Sequence, residues 1–207
     1  MTEQAKTESA NFPVMALVCS TGGLEALTRV LEPLPATFGA AVIVLQHLDP
    51  DARSGLARIL SRRTMLPVTD AEEGTRLVPG RVLVAPPGQH TLITSQGTVA
   101  LIESGDRPPY RPSADLLLTS LALSVGDRAV AVVLSGHGID GATGATAVHH
   151  FGGVVIASDQ ASSTEFSMPG ATIGRDTIVD HAVPLDQIAA LLVTLIPLTS
   201  PTPSSAG

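Results

Sequence analysis

Three side chains suited to acyl transfer follow three apolar runs: Ser20 after "VMALVC", His47 after "AAVIVLQ" and Asp140 beyond "AVAVVLSG". A serine hydroxyl becomes a useful nucleophile when a neighbouring base takes its proton. An imidazole does this well when a carboxylate fixes its tautomer and stabilises the imidazolium. Ser20, His47 and Asp140 supply those groups in that order. Residue type alone leaves a second reading open, because serines and aspartates also close strands for turn and capping reasons. "VCSTGG" departs from the G-x-S-x-G nucleophile turn, with Val18 where its first glycine would stand. The two glycines after Thr21 still allow a sharp turn.

For the three to meet, strand ends must come together, and the patterning of the chain provides for that. Apolar runs too short for helices alternate with longer stretches of helical period. This predicts an α/β fold, a three-layer, doubly wound α/β/α arrangement around a mainly parallel sheet. Ligands of such sheets bind beyond the carboxyl ends of the strands. "VMALVCS", "AAVIVLQHL" and "AVAVVLSG" do not alternate with polar residues and read as strands buried on both faces. "RVLVAPPG", "VVIASD" and "TIVDHAVPL" read as further strands.

"GGLEALTRVLEPL" places Leu24, Leu27, Val30 and Leu31 on one helical face. "DARSGLARILSRR" repeats the pattern and ends on cations that suit a helix C-terminus. "PSADLLLTSLALSVG" predicts a helix capped by Ser113 and stopped at Gly126. "HGIDGATGATAVHHFGG" is a glycine-rich turn into another helix, and "LDQIAALLVTLI" is a closing one. "HTLITSQGTVALIES" alternates around Gln96-Gly97 as a β-hairpin insertion would.

At 207 residues and 44% hydrophobic content the chain suits one core, and at 2% aromatic residues that core must be aliphatic. The expected division is one domain over 13–197, with disordered tails at 1–12 and 198–207. The apolar runs fall short of the roughly 20 residues that span a bilayer, and "MTEQAKTESANFP" has no signal-peptide pattern. One cysteine cannot form an internal disulfide, which fits a reducing compartment. The expectation is a cytoplasmic protein without membrane insertion. A net charge of −7 with scattered arginines gives no basic stripe for nucleic acid.

Taken together, "STGGLEAL", "LPATF", "VIVLQHLDP", "AEEGTRLVPGRVLVAPPGQH", "YRPSADLLLTSLA", "VVLSGHGIDGATG" and "FSMPGATI" resemble, in order and approximate spacing, one known domain. It is the catalytic domain of the bacterial chemotaxis protein-glutamate methylesterases, the CheB family. The resemblance implies that Ser20 is the nucleophile, His47 after Gln46 the base and Asp140 its orienting carboxylate. It implies oxyanion donors at the backbone N–H groups of Thr21 and His137. The implied substrate is a methylated glutamate on the cytoplasmic helices of a chemoreceptor, with deamidation of receptor glutamines by the same logic. No cofactor and no metal is implied, and oligomeric state is left open. Family members often carry an N-terminal phosphorylatable receiver domain; with a first strand that starts at Val14, two readings stay open, a stand-alone member or a catalytic domain cut from a longer chain. Two alternatives accompany this reading: the same mechanism on another ester or amide, and a catalytically silent receptor-binding module.

Several positions depart from the family pattern. His137 stands where methionine is common. A polar substitution at a loop mouth, a metal site shared with His47 and Asp140, and altered substrate preference are its three readings. Val18 and Cys19 replace smaller residues. Neighbouring strand residues point to opposite faces, so Cys19 is expected to pack away from Ser20 as a small buried hydrophobe. In the late loop Ser158 replaces glutamine and Thr164-Glu165 replace apolar residues, which bears on specificity. His149-His150 are expected at a helix end, His90 in a structural role, His181 partly exposed on a late strand, and Glu72-Glu73 on a solvated strand edge.

Overall fold

The first apolar run folds as β1 (Val14–Cys19), buried along its whole length at the middle of the sheet. The computed structural model describes residues 11–49, 51, 54–105 and 110–199. After β1 come α1 (Gly23–Leu31), β2 (Ala41–Gln46), α2 (Leu56–Leu60), β3 (Val68–Asp70) and β4 (Val82–Val84). The hairpin strands β5 (Gln89–Ile93) and β6 (Val99–Glu103) lead to α3 (Ala114–Val125). Then follow β7 (Ala129–Val133), α4 (Ala142–His150), β8 (Val154–Ser158), α5 (Ser167–Ile173), β9 (His181–Val183) and α6 (Leu185–Leu195).

The main sheet has the order β3-β4-β2-β1-β7-β8-β9, and each neighbouring pair is parallel. From β1 the chain winds outward through β2 on one side, and it later returns to β1's other side with β7. The order therefore reverses between β1 and β7, and a crevice opens beyond their carboxyl ends.

Strand alternation assigns β1 to two cores. Val14, Ala16 and Val18 pack with Leu117, Leu118 and Leu121 of α3, whereas Met15, Leu17 and Cys19 pack with Leu27 and Leu31 of α1 and Ile188 and Leu192 of α6. The Val, Leu, Ile and Met side chains among these each contribute about 1.5–3 kcal/mol by leaving water. The antiparallel hairpin lies on α3, where Ser120 Oγ accepts the Ile93 N–H (2.9 Å) and Ser124 Oγ donates to the Ile93 carbonyl (2.7 Å).

The three-layer expectation is met, and the main sheet is wholly parallel. Four local readings need correction. Leu24 is 38% exposed, and Ala26 is buried beside Leu27, Val30 and Leu31 in its stead, so the inward stripe of α1 is centred off Leu24. Glu72 and Glu73 lie in the loop after β3 rather than on a strand, and Glu73 Oε2 accepts the Leu101 N–H of the hairpin (2.6 Å). Leu198 forms an antiparallel bridge with Phe38 and the Thr199 N–H donates to Thr37 O (2.8 Å), so ordered chain passes the tail boundary expected at 198. Phe12 packs on the core at the other end, and residues 1–10 and 200–207 lie outside the described residues. Of the second helical stretch, only Leu56–Leu60 is helix, with Arg62 and Arg63 just past its end and residues 52–53 outside the described set. Helix α5, with Pro169 in its first turn, was not foreseen.

Candidate active site

Parallel register sets the site. β1 pairs Cys19 with Gln46, and the His47 N–H then donates to the Cys19 carbonyl (3.0 Å) just past the strands. On the other side the Ser20 N–H donates to Ser135 O (2.9 Å), beyond the last β1–β7 pair at Val18 and Val133. Ser20 is thus held between the ends of β2 and β7. Gly22 turns the chain into α1 with φ of +76°, a left-handed conformation that costs glycine little. Ser20, His47, Leu48, Asp49, Tyr110, Arg111 and His137 line an open cavity of about 300 Å³.

His47 and Asp140 are in direct contact, with His47 Nε2 donating to Asp140 Oδ2 at 2.9 Å. The carboxylate only accepts, so Nε2 carries the hydrogen and Nδ1 keeps the lone pair. The imidazole lies largely buried and the carboxylate almost wholly so, at 11% and 2% side-chain exposure. Asp140 is not orphaned by this burial. Its Oδ2 also accepts the Ala114 N–H (2.6 Å), and its Oδ1 accepts the Asp115 N–H (3.0 Å) and the Ser113 hydroxyl (3.1 Å). It therefore sits on the N-terminus of α3, where the helix dipole favours an anion. Burial pushes its carboxyl up, but the bonds from His47, Ala114 and Asp115 and the His47 charge outweigh this and hold it below the usual range.

The arrangement is reciprocal. Asp115, in the first turn of α3, accepts the N–H groups of Gly141 (2.9 Å) and Gly144 (2.7 Å) at the N-terminus of α4. Each helix start is capped by the carboxylate that belongs to the other. Burial raises the Asp115 carboxyl, the α4 N–H groups lower it, and the Asp140 charge raises it further. Asp115→Ala strands two partly buried N–H groups, and a loss of about 2–3 kcal/mol is expected in urea unfolding. A change under about 0.5 kcal/mol would show that the interlock is dispensable.

Sequence reasoning did not single out Asp115. It treated Ser113 as the cap of its own helix, and Ser113 Oγ does accept the Leu116 N–H (3.4 Å). An acid two residues past an N-cap was the available signal. Tyr110 was also missed, although it is the only tyrosine of an aromatic-poor chain.

The remaining candidates find specific places. Among the described residues neither the Thr21 N–H nor the His137 N–H meets a protein acceptor, and Ser20 Oγ makes no hydrogen bond. Cys19 is fully buried against α1 and α6, with its thiol directed to Leu45 O (3.6 Å); desolvation pushes the thiol far up. Val18 is buried on the α3 side, where a side chain at Gly141 would already touch it (3.5 Å).

The His137 imidazole, 70% exposed, points to Glu165 Oε2 (3.3 Å) and not to the His47–Asp140 pair. Two departures from the family pattern thus meet each other. Glu165 is held low by the Ser167 hydroxyl and N–H, with His137 adding to the effect. Ser158 is buried and shares a hydrogen bond with Ser163 (2.8 Å), away from the cavity lining. His90 Nδ1 accepts the Ser113 N–H (3.0 Å), the structural role expected of it, and burial lowers its pKa. His149 and His150 occupy the last turn of α4, and His181 is half-buried on β9.

A model of the CheB methylesterase family matches residues 15–192. The protein-glutamate methylesterase FrzG of Myxococcus xanthus is 37% identical over 182 residues, which cover 88% of this chain and 54% of that one. A protein-glutamate methylesterase/protein-glutamine glutaminase of Pseudomonas putida is likewise 37% identical, over 88% of this chain and 49% of its own. The crystal structure of the Thermotoga maritima CheB methylesterase catalytic domain superposes with a TM-score of 0.86 at 32% identity, covering 90% of this chain and 100% of that one. The chain spans about half the length of the curated relatives it matches. With its sheet order, its hairpin and its matched residues, the chain belongs to the CheB methylesterase family.

Proposed function

We propose that this chain hydrolyses methyl esters of glutamate side chains on chemoreceptors, with Ser20 as nucleophile, His47 as base and Asp140 as its orienting carboxylate. The observation that carries this reading is the 2.9 Å bond from His47 Nε2 to a buried Asp140, in a cavity that Ser20 also lines. The catalytic domain in this reading is the folded core from residue 12 to residue 199.

In the first step Ser20 Oγ attacks the ester carbonyl while His47 Nδ1 takes its proton. Asp140 stabilises the resulting imidazolium across Nε2. The tetrahedral oxyanion is bound by the N–H groups of Thr21 and His137, which have no competing acceptor among the described residues. Collapse breaks the bond to methoxide, the imidazolium returns its proton, and methanol leaves. Water then attacks the acyl-serine by the same proton route, giving free glutamate and restoring Ser20. With a glutamine substrate the same steps release ammonia. Every group needed is a side chain, a backbone N–H or water.

The partner in this reading is the receptor's cytoplasmic helical region, and the place of action is the cytoplasm. No helix among the described residues is long and apolar enough to cross a membrane. The His137–Glu165 pair favours a second reading, the same chemistry on an ester or amide with a charged neighbour, because both side chains differ from the family pattern and His137 lines the cavity.

Incubation with a methyl-esterified receptor fragment is expected to release methanol, read by coupled oxidation. Hydrolysis of small esters without release from the receptor would favour the second reading. Receptor binding with no hydrolysis of either would replace both with a silent binding module.

A further inference from the structure

One aromatic ring touches both halves of the candidate site. Tyr110 stacks on the His47 imidazole with ring centroids 5.2 Å apart and planes inclined by 22°. Its hydroxyl accepts the Ile139 N–H (3.3 Å). Gly138 has φ of +90° and lies so close that a Cβ there would collide with the tyrosine ring and hydroxyl. Backbone sign and lack of space both demand glycine at that position. Gly138 and Ile139 are flanked by His137 and Asp140, which supply the proposed oxyanion donor and the carboxylate. Base and loop are therefore joined through one side chain as well as through the His47–Asp140 bond.

We propose that Tyr110 is a positioning residue for this reaction. Its ring holds the imidazole with Nε2 on Asp140, which leaves Nδ1 free for the serine proton, and its hydroxyl tethers the loop that carries His137 and Asp140. The ring also favours the step itself. An aromatic face attracts a cation stacked on it, so the contact strengthens as His47 takes the serine proton. An interaction that grows toward the transition state raises kcat rather than substrate affinity.

The kinetic arm of the test rests on the methylesterase reading, and the spectroscopic arm does not. The His47 ring C–H resonance, assigned by its loss in His47→Gln, is expected upfield of the free-histidine position in wild type and in Tyr110→Phe, through the ring current. In Tyr110→Leu it moves to the ordinary position. For methanol release from a methyl-esterified receptor fragment, Tyr110→Leu lowers kcat about tenfold with KM changed less than about threefold. Tyr110→Phe keeps the ring and stays within about fivefold of wild type, having lost one neutral hydrogen bond. Tyr110→Met takes the place of the leucine variant if that protein does not fold. An His47 resonance that is the same in wild type and the aliphatic variant overturns the stack. A phenylalanine variant as impaired as the aliphatic one overturns the role of the ring. If wild type releases no methanol, the substrate reading fails and the resonance positions still decide the contact.

Discussion

The Ser20→Ala protein is expected to release no methanol above background from a methyl-esterified receptor fragment, a loss of about 10⁴- to 10⁶-fold. The size follows from what the hydroxyl does. In the proposed mechanism no acyl-enzyme forms without Oγ, and what remains is orientation and oxyanion binding by the cavity. The neighbouring thiol cannot substitute, because Cys19 faces the opposite core and its burial disfavours the thiolate. The same substitution leaves stability within about 0.5 kcal/mol, since Ser20 Oγ makes no hydrogen bond among the described residues. Activity and stability are thus separable at this position. Release persisting in Ser20→Ala protein of unchanged melting temperature would remove the nucleophile assignment.

Asp140→Asn is expected to lower kcat about 10⁴-fold, and here activity and stability are not separable. An asparagine presents an amide donor to groups that are donors themselves: His47 Nε2–H, the Ala114 and Asp115 N–H groups and the Ser113 hydroxyl. At most one amide oxygen can serve them, and the imidazole is driven toward the wrong tautomer. The end of α3 loses its anion, so destabilisation of about 2–4 kcal/mol accompanies the kinetic loss.

The pH dependence carries a sign that distinguishes this from generic damage. The Asp140 carboxyl lies lower in the folded protein than its unfolded value of about 3.9. Its contribution to stability is therefore complete above that value and is lost as pH falls through the lower, folded pKa. Wild type is expected to lose unfolding free energy more steeply than Asp140→Asn on acidification below about pH 4. Parallel urea-unfolding slopes across that range would show that Asp140 is not held ionised by the site.

Much of this was legible without coordinates, for physical reasons. Runs such as "AVIVL" are apolar on both faces, and only a covered parallel strand buries them, so the layers and the strand ends could be read from periodicity. Ser20, His47 and Asp140 could be singled out as candidates because each follows such a run, and the resemblance to the family's motifs then implied their roles. What patterning could not supply was the bond between α3 and α4. Asp115 and Asp140 exchange helix ends at a distance along the chain, and local rules assign a cap to its own helix. Helix α5 was hidden by its proline and glycine, and its place depends on Met168 entering the core. The encounter of His137 with Glu165 joins two loops, and each substitution read alone gave no partner.

The central position of β1 has a consequence for how the protein comes into being. Val14 pairs with Ala41 on one side and with Ala129 on the other. During synthesis Ser20 leaves the ribosome before Ser135, whose carbonyl receives its N–H, and before Asp140, which holds the His47 imidazole. A nascent chain that stops short of β7 therefore holds Ser20 without either of these partners. Such non-local pairing closes slowly, so the proposed site is completed late, with the closing of the sheet around its middle strand.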